Sequence, residues 1–116
     1  VPAILQRFRQ ARWYGTIGCQ IQLRLIQANE LKESIRVGEL ILEPEGQPLV
    51  AYNLACAQAR LGQAREALRW LEEAVRRGFK NPDLMATDAD LELLQDYPAF
   101  QEIIARLRPQ EAPLVP

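Results

Sequence analysis

The 116-residue sequence predicts an all-α fold, an α-α superhelix of stacked helical hairpins closed by short C-terminal capping helices. Three observations predict it. Leu, Ala, Arg, Gln and Glu dominate the composition, and no window alternates like a strand. Apolar residues recur at three- and four-residue steps between short breaks of Gly, Asn and Pro. A helix, a tight turn and a second helix also recur at an offset of 33 residues: Asn29 falls over Gly62, Glu33 over Glu66, Ser34 over Ala67 and Ile35 over Leu68. Such a period marks a solenoid, in which each hairpin buries its apolar side by stacking on the next.

Taken in order, "AILQRFRQARWYG" places Ile4, Leu5, Phe8 and Ala11 on one face and predicts a partial or leading helix over 1–14. Gly15 and Gly18 loosen the start of the next segment. A divergent hairpin over 15–46 has Ile17, Ile21, Leu25 and Ala28 along its first helix, with Leu23 and Ile26 as further apolar positions. Asn29 and Glu30 interrupt it. The second helix resumes through Leu31, Ile35, Gly38, Ile41 and Leu42, and "EPEGQP" stops the chain with two prolines and a glycine. The second hairpin, 47–79, is "LVAYNLACAQARL" closed by Gly62 and "AREALRWLEEAVRRG" closed by Gly78. In the latter, Ala67, Leu68, Leu71, Ala74 and Val75 form an inward stripe. Arg69 with Glu73, Glu72 with Arg76 and Glu73 with Arg77 set opposite charges one turn apart on the outside. Residues 80–108 are expected to form capping helices, and 109–116, ending "APLVP", a frayed tail.

Composition excludes several function classes. A net charge of −1 removes the electrostatic reason to expect nucleic acid or anionic lipid, and glutamates interleave the series Arg65, Arg69, Arg76, Arg77 and Lys80. The absence of histidine excludes His-based triads and imidazole metal sites. Cys19 and Cys56 are too few and too far apart for a thiolate zinc site, and read as reduced residues of a core or groove. No apolar run approaches the ~20 residues of a bilayer span. These features predict a cytoplasmic protein with no cofactor. The chain opens with Val inside a helical pattern, which predicts a fragment of something longer.

The stretch "MATDADLELLQDYP" gathers Asp88, Asp90, Glu92 and Asp96. Thr87 and Asp90 have capping-box spacing, Asp88 is an equally good N-cap, and acids in a first turn suit the helix dipole. Leu91, Leu93 and Leu94 are expected to give this short helix its buried side, and Phe100, Ile103, Ile104 and Leu107 to do so for the next. An EF-hand reading fails because leucines stand where ligands should be. Carboxylate-pair hydrolysis needs two acids facing each other, whereas Asp88 and Asp90 are expected to splay around a helix start. A metal-binding or enzymatic domain using Asp88 and Asp90, or Cys56, is therefore the alternative rather than the expectation.

The stretch "YNLACAQARLGQAREALRWLEEAV" resembles a tetratricopeptide repeat, through Leu54 and Ala55 in the first helix, Gly62 at the turn, and Ala67, Leu71 and Ala74 in the second. It departs from that pattern at Ala51, where Trp is common, and at Gln58, where Tyr is usual. Gly38, in the earlier hairpin, stands where the pattern has a large residue. Residues from Gly78 to Leu107 are similar to the segment that ends the array in many bacterial members. The resemblance implies a protein-interaction scaffold with no enzymatic activity, its concave groove lined by the first helix of each hairpin. Carried over by position, the groove residues are Leu49, Tyr52, Asn53, Cys56, Ala59 and Arg60, with Thr16, Cys19, Gln20, Leu23, Ile26 and Gln27 from the earlier hairpin. The expected partner is a protein or peptide. Tyr52 would offer a flat face, Asn53 and Gln20 would pair with an extended backbone, and Arg60 would hold a carboxylate. One positive charge in a modestly apolar groove favours a hydrophobic or acidic segment. Self-association into a homo-oligomer through the apolar N-terminal edge is the further alternative.

Overall fold

The computed structural model describes residues 13–109, and among these there is helix and no strand. We number the helices α1 (Trp13–Gln27), α2 (Leu31–Ile41), α3 (Pro48–Arg60), α4 (Ala64–Arg76), α5 (Pro82–Thr87), the 3-10 helix η1 (Ala89–Leu94) and α6 (Pro98–Leu107). The chain is an all-α assembly of helical hairpins. The leading-helix expectation for Ile4, Leu5, Phe8 and Ala11, and the tail from residue 110, lie outside the described residues.

The turns establish the repeat. Asn29 and Gly62 both adopt left-handed backbone, with φ of 61° and 80°. Behind each, the next amide reaches back five residues, Glu30 N–H to the Leu25 carbonyl and Gln63 N–H to the Gln58 carbonyl. This is the Schellman closure, which satisfies the last carbonyls of a helix and reverses the chain. A Cβ on Gly62 would meet nothing within 4 Å, so its φ, not crowding, calls for glycine, while asparagine is the other residue that tolerates this region. A third copy follows α4, where Phe79 N–H bonds the Ala74 carbonyl. Proline at the first position starts α3, α5 and α6, where its missing N–H costs nothing.

α3 is the centre of the core. Every residue from Val50 to Ala57 is buried, because α1 and α2 pack on one side of it and α4 and η1 on the other. A helix small or apolar all round can be buried all round. Gly38 admits its closest neighbour: a Cβ there would lie 2.3 Å from Gln22 Nε2 and 2.6 Å from Leu54 Cδ2. The apparent mismatch at Gly38 therefore has a structural reason, since Leu54 of the next hairpin fills the space. α1 runs unbroken through Gly15 and Gly18, where the sequence suggests a loosening; Gly18 lies against Ile41. Ile17 and Ile21 are 43% and 44% exposed, whereas Val50 and Leu54, one repeat later, are wholly buried in the cluster with Ile41.

Polar links stitch the first hairpin together and to α3. Ser34 donates to the Gln22 carbonyl (3.0 Å), Gln22 Nε2 to the Val50 carbonyl (3.3 Å), and Asn53 Nδ2 to the Cys19 carbonyl (3.2 Å). The α2–α3 loop is held by Arg77, whose guanidinium donates to the Glu43 and Gly46 carbonyls at 2.7 and 3.0 Å.

Three sequence expectations change in detail. On α4, only Glu73–Arg77 forms among the anticipated pairs; Arg69 turns to Glu66 and Arg76 to Glu73, while Glu72 is drawn to Arg106 on α6. Leu93 is exposed, because in a 3-10 helix residues three apart share a face, and Leu91 and Leu94 take the buried one. Asp88 rather than Thr87 caps η1; Thr87 ends α5, and its hydroxyl donates back to the Asp83 carbonyl.

Arg76, together with Arg77, holds the Glu73 carboxyl down to about 2 from its ordinary value of 4.5. A depressed folded-state pKa gives stability that is complete above the unfolded value and is lost as pH falls toward the folded one. Glu73→Gln should therefore flatten the fall of melting temperature between about pH 4.5 and 2 relative to the parent. An unchanged acid limb in thermal melts at stepped pH would show that the pairs contribute nothing.

Candidate binding groove

α1 and α3 lie side by side with the same turn at their ends, so residues at equivalent positions face the same way. Thr16, Cys19, Gln20 and Leu23 on α1 recur 33 residues later as Leu49, Tyr52, Asn53 and Cys56 on α3, each set stepping by three, four and seven along a helix. All eight line one cavity of about 610 Å³. Gln47, Pro48 and Val50 complete the α3 side. The capping region supplies Leu84 from α5 and Asp88 and Asp90 from the start of η1. Leu23, Leu49 and Leu84 stand exposed around it.

The other four anticipated groove positions lie elsewhere. Ile26 and Ala59 are buried core residues, 1% and 3% exposed, because they are turned into the interface that the helices share. Gln27 is exposed but outside the cavity lining. Arg60 folds back on the first hairpin: its guanidinium donates to the Ile26 carbonyl at 2.6 Å and to Asn29 Oδ1 at 3.0 Å, capping the C-terminus of α1. It lies 3.7 Å from Asp90. The cation assigned to a partner's carboxylate is thus engaged within the molecule.

Two anticipated roles change for the same reason. The Tyr52 ring is 3% exposed and stacked on Phe79, with centroids 4.4 Å apart and planes 5° from parallel, so its flat face is covered. Asn53 Nδ2 is directed to the Cys19 carbonyl and, at 3.4 Å, to Gln22 Oε1, not to a passing backbone. Gln20 is exposed in the groove.

The acidic pair does not splay away. Asp88 Oδ1 accepts the Asp90 N–H at 3.0 Å as the N-cap of η1, while Oδ2 accepts the Tyr52 hydroxyl at 2.7 Å and the Cys56 thiol at 3.9 Å. One carboxylate both starts the capping helix and ties it to α3. Potential ligand atoms of Cys56, Asp88 and Asp90 lie within 4.8 Å of one another. Burial pushes the Cys56 thiol well above its ordinary range, and the charges of Asp88 and Asp90 add to the effect. A cation held there would have to displace that proton, since metals bind the thiolate. Burial likewise raises Cys19, and raises Tyr52 out of reach of ordinary pH. Burial pushes Asp90 up, as does Asp88, with Arg60 opposing.

Among the described residues, Asp88 and Asp90 are the only charged ones in the lining. The groove is apolar with a negative end, the reverse of the expected sign. Sequence reasoning read these acids as a cap and missed them as groove wall. The register contained a signal, because 33 residues beyond Cys56 is position 89, between the two aspartates.

Hairpins in one register, turned at Asn29 and Gly62 and sharing a groove, define a helical-repeat protein. No family model matches the chain, and no solved structure matches it. It is similar to a chloroplastic protein of Arabidopsis thaliana, at 33% identity over 61 residues. The similarity spans 53% of this chain and 18% of that protein, so the chain corresponds to under a fifth of its relative's length. Among the described residues, no helix is long and apolar enough to cross a membrane.

Proposed function

We propose that this chain is a protein-interaction module of tetratricopeptide type, a non-enzymatic scaffold whose groove between α1 and α3 receives a segment of a partner protein or of another part of its own chain. The observation that carries the reading is the shared cavity: two hairpins present equivalent positions to one space of about 610 Å³, bordered by exposed leucines. Large aliphatic side chains beside a concavity gain by covering each other from water, and a partner's side chains gain the same way. The proposed compartment is the cytoplasm, and the plastid named for the relative is the competing one.

A photo-crosslinking residue at Leu49, inside the groove, tests this against one at Leu40, an exposed leucine outside its lining. Adducts should form at position 49 and fall at least about tenfold when Leu23 is changed to Asp, since a charge then faces apolar surface. Adducts of twice the chain mass would make a second copy the occupant. The same adducts at both positions, or none at 49, would overturn the groove as the functional surface.

A further inference from the structure

We propose that the segment received by the groove is basic and aliphatic, with an arginine or lysine seated against Asp90 and Asp88 and leucine-sized neighbours laid on Leu23, Leu49 and Leu84. This rests on the preceding reading of the groove as a docking site, and adds the chemistry of its occupant.

Charge complementarity carries the inference. Among the described residues, the lining holds two carboxylates and no cation. The Arg60 guanidinium is already directed at the Ile26 carbonyl and Asn29, and reaches Asp90 only at 3.7 Å. Asp90 is partly buried, with a side-chain exposure of 27%, and among the described residues its carboxylate has that one ion pair and no hydrogen bond. A half-desolvated carboxylate without a donor is an unfavourable element of the free protein, and a donor arriving from outside relieves it.

Asp88 has the complementary property. Three donors, the Asp90 amide, the Tyr52 hydroxyl and the Cys56 thiol, fix its position. A carboxylate held in place before binding loses little on complex formation, and Oδ1, which accepts only the Asp90 amide among these three donors, keeps a second lone pair for a charged donor. The tyrosine and cysteine stay protonated, so both keep donating to Asp88. A guanidinium suits the site best, being weakly hydrated and able to donate to two oxygens from one plane. Against an acidic segment, one of the two kinds expected from the sequence, both aspartates would face like charge at the low-dielectric end of an apolar groove. Against a wholly apolar segment, Asp90 would be covered without a donor.

The test uses three labelled pools of short peptides that share two fixed leucines around one central residue, Arg, Gln or Glu, with randomised small polar flanks. Binding to the chain is read by fluorescence anisotropy, with a thermal melt of each variant to show that it is folded. The Arg pool should bind about tenfold tighter than the Gln pool and tighter still than the Glu pool, with the advantage shrinking at high salt. Asp90→Asn should remove the Arg advantage while leaving the Gln pool unchanged, and Asp90→Lys should move the preference to the Glu pool. Equal binding of all pools, abolished by Leu23→Asp, would overturn the basic occupant and leave the groove reading standing. Preference for Glu in the parent would overturn the proposal in favour of an acidic partner. Binding of none would overturn both readings.

Discussion

Gly38→Leu, which installs the large residue that the tetratricopeptide pattern has at that position, is expected to unfold the first hairpin instead of stabilising it. A Cβ alone would stand 2.3 Å from Gln22 Nε2 and 2.6 and 2.9 Å from Leu54 Cδ2 and Cγ. Neither neighbour has room to yield. Both are fully buried, and Gln22 is held by its hydrogen bond to the Val50 carbonyl. Overpacking of this kind costs about 1–3 kcal/mol for small insertions and more for a whole side chain, so Gly38→Leu should lose more than about 3 kcal/mol. Gly38→Ala tests the same contact more gently: alanine gains about 1 kcal/mol in helix propensity, yet overpacking should leave the variant less stable by about 1–2 kcal/mol, or roughly 5–15 °C in melting temperature. Gly18→Ala is the control. Its Cβ would overlap only Ile41 Cδ1, at 2.2 Å, with Cγ1 already 3.5 Å away, and a terminal methyl can rotate aside. That variant should be close to neutral or about 1 kcal/mol more stable. Urea titrations of the three variants decide it, and a Gly38→Leu chain as stable as the parent would refute this packing of Leu54 and Gln22 against the glycine.

What the sequence made legible was periodic. Apolar steps of three and four placed helices α1 to α4, and the 33-residue register aligned Asn29 with Gly62, whose backbones then adopt the same left-handed turn. The same register identifies residues that share the groove, because helical phase decides which way a side chain points. What stayed illegible was which neighbour uses a side chain once it points there. Arg60, Asn53 and Tyr52 all carry groups suited to a ligand, and each is engaged by a residue at least 27 positions away: Ile26, Cys19, and Phe79 with Asp88. Gly38 is explained only by Leu54 and Gln22 on two other helices. The acids at 88 and 90 look like helix capping from local spacing, and Asp88 does cap η1. Its second oxygen acts across the fold, which no local pattern reports.

That second oxygen leads to the other large expected effect. Asp88→Ala should detach the capping region from the repeat and lower stability by about 2–4 kcal/mol. Roughly 1 kcal/mol of this is the lost N-cap of η1, and roughly 1–3 kcal/mol is the penalty on the Tyr52 hydroxyl, left without its acceptor in a residue that is 3% exposed. The two parts separate by double-mutant cycle. With Tyr52→Phe already present there is no hydroxyl to orphan, so adding Asp88→Ala should cost only the capping share, and the pair should fall short of additivity by about 1–2 kcal/mol. Asp88→Asn retains an acceptor for the Asp90 amide and should lose less than alanine does. Hydrogen exchange locates the damage: amides of η1 should exchange faster in Asp88→Ala, while those in the buried stretch of α3 from Val50 to Ala57 remain protected. Because Leu84, Asp88 and Asp90 form one wall of the groove, the same variant should weaken any groove ligand by more than the loss of a single charge would. Additive costs in the cycle, or protection lost evenly across α3 and η1, would mean that Asp88 supports the whole fold instead of latching the cap onto it.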